Sequence, residues 1–596
     1  MDEKATRVIS SALTMYDIME RRVTLVEKLE IGRQPFPDID VIYLATPTLQ
    51  SVEKISKDFE NKLKPRYGNV HIFFLESLSS ELFAVIQSNA LLVSRVKTFK
   101  EIYLDFISLE SSVFHFDLDF TLTKLYGSLR DPDYPAVLGK KLANTCITLN
   151  EHPCIRFQGS SKYAREIATA FHQTLLQYKK SNPAFWCNGD DAHHDRDRGQ
   201  ILILDRTFDP LSPLMHEYTY QAMAFDLLDV QEGVIEYKTA TNKGSEDTRK
   251  ALLNESDEFW LEFRHNHIAK VIEAVKERMS DIIQNNSGAA LAKSNGANLD
   301  ITTMAAAVKK LPEYTQTMTK LSQHVAIAQQ CMDAFTKQGL MNLSQVEQTL
   351  STGFDEDGSE VKGAKLFQKV SEVLRTNMTK DQKVRLLAIY FVSQRLLQGA
   401  NPSNPEDYVE QAMQQAGLNQ SERKTVLNFA KLMVSPAPSA VAVDNKKGAG
   451  GTIMSIFRSK PKHAPTPEGE YADTRHVTQM KLLLEQFIAN ELPMDKFPAM
   501  GTSVTPASKV EAKSVRKFGA NSRWAKKDNI QYTGGRFIVF VAGGVCYSET
   551  RAGYELMQQH SKEIIVGGSH IITPDSYLVD VGVLDSMTTH KSKEDV

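Results

Sequence analysis

Ile201-Leu-Ile-Leu-Asp-Arg-Thr-Phe-Asp-Pro-Leu-Ser-Pro-Leu-Met-His-Glu-Tyr-Thr-Tyr-Gln-Ala-Met-Ala-Phe-Asp-Leu-Leu228 decides how the rest of the chain is read. Gln200 to Asp205 is an apolar run of strand length ending on a carboxylate, and a tight turn and a helix follow it. On its N-terminal side Val113–Phe116 and Cys154–Phe157 read as strands. Between the latter and Gln200, Ile167, Phe171, Leu175 and Tyr178 fall on one helical stripe of Ala164–Tyr178.

Further out the alternation repeats. Val41-Ile-Tyr-Leu-Ala45 is a buried strand by composition, and Ser51–Phe59 carries Val52, Ile55 and Phe59 at helical spacing. His71–Leu75 is the next strand, Leu82, Phe83, Val85 and Ile86 the next helix, and Ile102–Phe106 the third strand. Near the C-terminus Phe537–Val541 and Ile564–Val566 are strands with a helix over Arg551–Gln559 between them. Strands alternating with helices predict mainly parallel sheets, so two α/β regions bracket a long middle.

That middle, 223–470, is helical by pattern. Ile268, Val271, Ile272, Val275, Met279 and Ile282 form one face. A longer stripe runs through Met304, Val308, Leu311, Met318, Leu321, Val325, Ala328, Met332 and Phe335. It reads as core packing, or as a face that docks a partner helix. Pro312 interrupts it, and a proline removes a donor and clashes with the preceding turn, so the helix is expected to kink or end near Leu311. Cys187–Gly199, Ser435–Glu470 and Ser503–Asp528 read as loops, the second as disordered. No internal repeat of fixed period is present.

The chain has 596 residues, with 70 Lys and Arg against 73 Asp and Glu, a net charge of −3. That length predicts several domains, and the balance gives no whole-molecule basic footprint for nucleic acid. The five cysteines are scattered, with no C-x-x-C pair, so neither a disulfide framework nor a zinc ribbon is expected and a reducing, cytosolic setting fits. Phe537–Cys546, the longest strongly apolar stretch, is about half the length of a spanning helix. Any membrane association is therefore expected to be peripheral. The basic runs Lys446–Lys462 and Lys509–Lys527 could touch anionic lipid, against the simpler reading of solvated charge.

Chemistry-bearing clusters are thin. Asp190, Asp191, His193, His194 and Asp195 share one polar loop, and consecutive loop residues rarely converge on a metal. His265 and His267 are two apart where a helical zinc pair needs four, so capping or packing is expected. Gly543-Gly544 after a strand could open a phosphate-binding helix N-terminus, but neither a G-x-G-x-x-G nor a P-loop pattern is present. Gly567-Gly-Ser569-His570 matches a nucleophile elbow only in part.

The 201–228 block closely resembles the signature of the Sec/Munc (SM) family, syntaxin-binding regulators of SNARE-mediated membrane fusion. Tyr43–Phe59, Phe259–Ile268, Leu311-Pro-Glu-Tyr314 and Phe540–Arg551 agree with it. The similarity is collinear over nearly the whole chain and is nearest to the animal-type exocytic branch. It implies an α/β fold in the form of a three-domain arch around a central cavity. The first domain is 1–103, the second 104–222 with 471–596, and the third, mostly helical, 223–470. It further implies a non-enzymatic protein, without cofactor or metal, in the cytoplasm and peripheral at the plasma membrane.

The implied partners are closed syntaxin in the cavity, its N-terminal peptide outside, and synaptobrevin with the assembled SNARE bundle, in a monomer that forms a binary complex. Residue by residue, the cavity wall includes Asp2, Arg7, Glu27 and Arg33. The N-terminal peptide pocket maps to Leu78, Phe83, Val96, Phe99 and Glu101, with Phe83 as floor and Glu101 as anchor for a basic residue. Pro312, Tyr314 and Val325 mark a hairpin that templates SNARE helices. Relatives carry a further helix and strand before the stretch matching Met15–Met19. The expectation is therefore either a shortened chain or a first sheet with an exposed edge. The rival reading is a nucleotide- or phosphate-binding α/β enzyme at the strand ends near 200–228 and 537–551.

Overall fold

The computed structural model describes residues 1–61, 64–185, 197–240, 246–285, 301–398, 405–433, 474–501, 515–516 and 532–586. Strands β1 (Val41–Ala45), β2 (Val70–Phe74) and β3 (Val96–Glu101) form a parallel three-stranded sheet in that order. Helices Leu49–Lys57 and Ser80–Ser88 connect its strands, and Val52, Ile55, Tyr43, Ile72 and Phe74 fill the core between them.

The third strand lies before the expected Ile102–Phe106. That stretch is a connector, because Tyr103 takes φ 56°, a left-handed conformation that no extended strand tolerates. Beyond it come β4 (Ile107–Glu110), β5 (Val113–His115), β6 (Cys154–Phe157) and β7 (Gln200–Asp205).

A second correction falls in the helical middle. β8 (Val230–Gln231), β9 (Val234–Ala240) and β10 (Glu246–Leu252) make an antiparallel sheet there. Its signal is a period of two: Ile235 and Tyr237 point inward and are buried, while Glu236 and Lys238 alternate with them. Glu232 and Gly233, at φ 52° and 78°, make the turn.

The chain then adds β11 (Ala499–Met500), β12 (Val515–Arg516), β13 (Tyr532–Thr533), β14 (Phe537–Ala542) and β15 (Ile564–Gly568). Seven strands form the large sheet in the order β11-β6-β7-β14-β15-β5-β4. β6, β7, β14, β15 and β5 run parallel, with Phe537 opposite Gln200 and Ala542 opposite Asp205. Both faces are covered, which is why β7 is apolar from Ile201 to Leu204. Ile201 and Ile203 meet helices Tyr134–Thr148 and Lys162–Ser181; Leu202 and Leu204 meet helices Gln479–Ile488 and Tyr547–His560. Ser161 caps the 162–181 helix, accepting from Ala164 N at 3.0 Å.

The helices of the middle region pack in two clusters. One joins helices Leu340–Thr352, Lys380–Gln398 and Gln420–Met433 to Pro574–Gly582. The other gathers Tyr220, Trp260, Ile235 and Val271 against Leu321, Ile327, Ala328 and Cys331 of the 37-residue helix Ile301–Lys337. That helix passes through Pro312 and does not end at Leu311. A proline costs about 3 kcal/mol in a helix interior, and a chain this long with a buried face offsets one lost donor. Among the described residues no helix is long and apolar enough to cross a membrane. All three expected loops fall largely outside the described residues: Cys187–Gly199 up to Arg196, Ser435–Glu470 entirely, and Ser503–Asp528 except for Val515 and Arg516.

Candidate functional site

Five of the residues singled out in the sequence come together on the first sheet. Val96, Phe99 and Glu101 lie on β3, Leu78 in the turn after β2, and Phe83 on the helix Ser80–Ser88. Ser79 starts that helix, accepting from Leu82 N, and so fixes where Phe83 points. Phe74, Phe99 and Phe83 form an edge-to-face row at centroid separations of 5.8 and 5.7 Å. The row runs from the buried Phe74 to Phe83, which is 41% exposed. It gives an apolar floor open to solvent on one side.

Glu101 stands at the rim. Leu78 N donates to its Oε1 at 2.8 Å and the Tyr103 hydroxyl to its Oε2 at 2.8 Å. Burial, reinforced by Glu101, pushes the Tyr103 phenol above its usual range, so it remains a donor. Each carboxylate oxygen accepts two hydrogen bonds, so a held Glu101 still has lone pairs for an incoming cation. An aromatic floor beside an oriented carboxylate suits an extended segment with one apolar and one basic side chain.

The four charges expected on a shared wall divide in two. Asp2 is 5% exposed and spent internally: Ala5 N donates to it at 2.8 Å, Thr46 N at 2.5 Å and the Ser51 hydroxyl at 3.1 Å. It caps the first helix and straps it to β1, which does not fit a role as a surface charge. Arg33 lies 2.9 Å from Asp58, which also takes Arg66 at 3.0 Å and the Tyr43 hydroxyl at 2.5 Å. Burial alone would lower the Arg33 pKa, and Asp58 overrides it. Arg7 pairs with Asp117 while remaining about one-third exposed, and Glu27 is partly exposed. Arg7 and Glu27 are thus partly exposed, whereas Asp2 is buried and the Arg33 side chain is only 8% exposed.

Val325 is partly buried against the cluster around Tyr220 and Trp260, so this part of the stripe is core. Pro312 and Tyr314 lie on the same helix, with side chains outside the described residues. The helix is clamped at His324, whose Nδ1 lies 3.0 Å from the Tyr220 hydroxyl and whose Nε2 lies 3.2 Å from Asp257. Nothing in the periodicity announced that clamp.

The strand ends favoured by the enzyme reading are filled by the protein itself. At the N-terminus of helix Tyr547–His560, Glu549 accepts from Cys546 N at 3.0 Å and pairs with Arg206. Gly543 and Gly544, at φ 95° and 93°, serve the turn from β14. Gly567 packs under Phe114, whose ring would lie 2.1 Å from any Cβ. His265 lies against Tyr554 at 4.9 Å, and His267 Nδ1 accepts from Ala269 N. Among the described residues no group of acidic, His and Cys side chains could hold a metal; the loop from Asp190 to Asp195 lies outside them. A recess of about 670 Å³ beside Tyr126, Tyr163 and Lys431 includes none of the expected site residues.

A small parallel sheet, a large one completed from both ends of the chain, and a helical body between them define a large α/β scaffold of the SM type. The Sec1 family model matches residues 1–580, and the chain belongs to that family. It is 33% identical over 595 residues to the protein transport protein sec1 of Dictyostelium discoideum, covering 97% of this chain and 93% of that relative. Among solved structures it resembles the Unc18–syntaxin 1 complex from Monosiga brevicollis, with TM-score 0.77 and 25% identity over 98% of this chain and 95% of the other. It also shares its fold with Sly1p, solved in complex with an N-terminal peptide of Sed5p, at TM-score 0.69 and 19% identity over 98% and 91% of the two chains.

Proposed function

We propose that the chain is a non-enzymatic, SNARE-binding regulator of vesicle transport that holds closed syntaxin and chaperones SNARE assembly for docking and fusion. The observation that carries the reading is whole-length membership of the Sec1 family. In this reading, 1–103, 104–222 with 471–596, and 223–470 are the three domains of an arch, and closed syntaxin lies in its central cavity. Arg7 and Glu27 contribute to the cavity wall, where charges add specificity and association rate more than raw affinity. The Phe83–Phe99–Glu101 pocket takes the N-terminal peptide of syntaxin, which its apolar floor and oriented acid support. The hairpin bearing Pro312, Tyr314 and Val325 meets synaptobrevin. The protein acts as a monomer in a binary complex, in the cytoplasm and peripheral at the plasma membrane through syntaxin, and needs neither cofactor nor nucleic acid.

Calorimetry tests the proposal directly. A cytoplasmic syntaxin fragment should bind saturably at one to one, and ATP, GTP and NAD should give no heat beyond dilution. Saturable nucleotide binding without syntaxin binding would overturn it in favour of the enzyme reading.

A further inference from the structure

The acid of the peptide pocket is tied to the large sheet through a single residue. Glu101 ends β3, and the connector to β4 begins one residue later. Tyr103, in that connector, donates its hydroxyl to Glu101 Oε2 at 2.8 Å. Its own carbonyl accepts from the Thr148 hydroxyl at 2.6 Å, and its ring packs edge-on against Tyr178 at 5.1 Å. Thr148 and Tyr178 belong to the two helices covering one face of the large sheet. The left-handed backbone of Tyr103, φ 56°, is unfavourable for a residue with a Cβ and persists because contacts on both sides hold it.

Two residues on, Asp105 is 2% exposed and accepts from Lys141 of the same 134–148 helix at 2.6 Å and from Lys4 at 2.8 Å. Lys4 also reaches Glu76, two residues before Leu78, at 3.2 Å. Both lips of the pocket, the Leu78 turn and the end of β3, therefore run straight into the contact between the two sheets.

We propose that Tyr103 is a positioning residue of this pocket. Its hydroxyl fixes the Glu101 carboxylate, and the grip of Thr148 on its backbone makes affinity for a cationic, apolar peptide depend on the neighbouring sheet. The inference rests on the peptide-pocket reading above and adds the residue that tunes it. An acid held by two donors pays little reorientation cost when the cation arrives, which is where the affinity comes from. The ligand class is a short extended peptide with a basic side chain near an apolar one.

The test titrates a labelled ten-residue N-terminal syntaxin peptide into the full chain, as wild type, Tyr103→Phe, Thr148→Val and the double variant. Tyr103→Phe should weaken binding about five- to tenfold, the scale of one net hydrogen bond. Thr148→Val, at an exposed position outside the pocket, should weaken it about threefold. The double variant should fall short of the product of the two. With the peptide's basic residues replaced by glutamine, the Tyr103→Phe loss should vanish, which a merely structural effect would not produce. Unchanged affinity in both single variants beside a wild type that binds would overturn the inference alone. No binding by the wild type would overturn the pocket reading and the inference with it.

Discussion

The Arg206 guanidinium meets the Glu549 carboxylate at 2.6 Å with neither side chain exposed to solvent. Arg206 follows β7 and Glu549 opens the helix after β14, so the pair locks strands whose partners lie more than three hundred residues apart in the chain. Arg206 also donates to the Gly544 carbonyl at 3.1 Å. Its neighbours in the 201–228 block act likewise: Asp209 accepts from Ser212 N and Gln479 N, and His216 meets Glu347 at 2.8 Å. The stretch that identifies the family is thus a keystone between sheet and helices.

Removing one half of that pair leaves a buried charge without its counterion. Arg206→Met should destabilise by about 3–5 kcal/mol, visible as a lower Tm in calorimetry. Adding Glu549→Leu should recover much of the loss, because two apolar groups fill the site that one orphaned carboxylate cannot. A second substitution that deepens the loss would contradict this account.

Phe83 is an exposed floor and contributes little to the core. Phe83→Ala should weaken the N-terminal syntaxin peptide by about 2 kcal/mol while leaving Tm and closed-syntaxin binding nearly unchanged. Equal losses in both binding modes, measured by titrating peptide and full cytoplasmic syntaxin separately, would show that the sites are not separable.

Glu27 and Asp2 should behave differently despite equal charge. Glu27→Lys should weaken closed syntaxin at low salt, mainly through slower association. Asp2→Ala should cost about 1–2 kcal/mol of stability as a lost cap and change syntaxin association little. Stopped-flow association rates alongside melting curves separate the two outcomes.

Stability should also carry a pH signature from Asp580. Burial pushes its carboxyl up to about 6, although the Thr123 hydroxyl and Leu122 N, which donate to it, pull the other way. A folded-state pKa above the unfolded value means the native chain keeps its proton longer. Stability is therefore highest below the unfolded pKa, falls as pH rises towards 6, and is lower by about 3 kcal/mol above that. Asp580→Asn keeps the Thr123 bond without the charge. It should melt higher than wild type at pH 7.5, and the gap should narrow as pH is lowered from about 6 towards about 4, the ordinary carboxylate range. A gap independent of pH would remove Asp580 as its source.

Pro312 interrupts the donor ladder of a helix that nonetheless runs from Ile301 to Lys337. Pro312→Ala should stabilise that helix by up to about 3 kcal/mol and, in the proposed function, raise affinity for synaptobrevin. A fall in affinity at unchanged helicity, read by circular dichroism and pull-down, would remove Pro312 from the proposed hairpin role.

β1, β6 and β7 were legible from short apolar runs, and the helix over 162–181 from its stripe, because burial on one or two faces writes a local pattern. The pocket residues were named through a family resemblance, not through their chemistry. In the structure Phe83 and Phe99 lie edge to face on the first sheet. The hairpin sheet at 230–252 was missed because its period-two signal is short and lies among long helical stretches. Which charges face outward could not be read at all. Asp2 and Glu27 look alike in sequence, yet Thr46 and Ser51 consume one and leave the other partly exposed.

By itself, then, the sequence determined the strands and helices that carry a strong local period and the family they belong to, since periodicity and motif are local. Tertiary structure alone decided the strand order, which sets Phe537 beside Gln200, and which carboxylates are spent on the protein's own donors. The physical reason is common to both. A strand's neighbour and a charge's counterion are chosen by proximity in space, and residues that meet there lie tens to hundreds of positions apart along the chain.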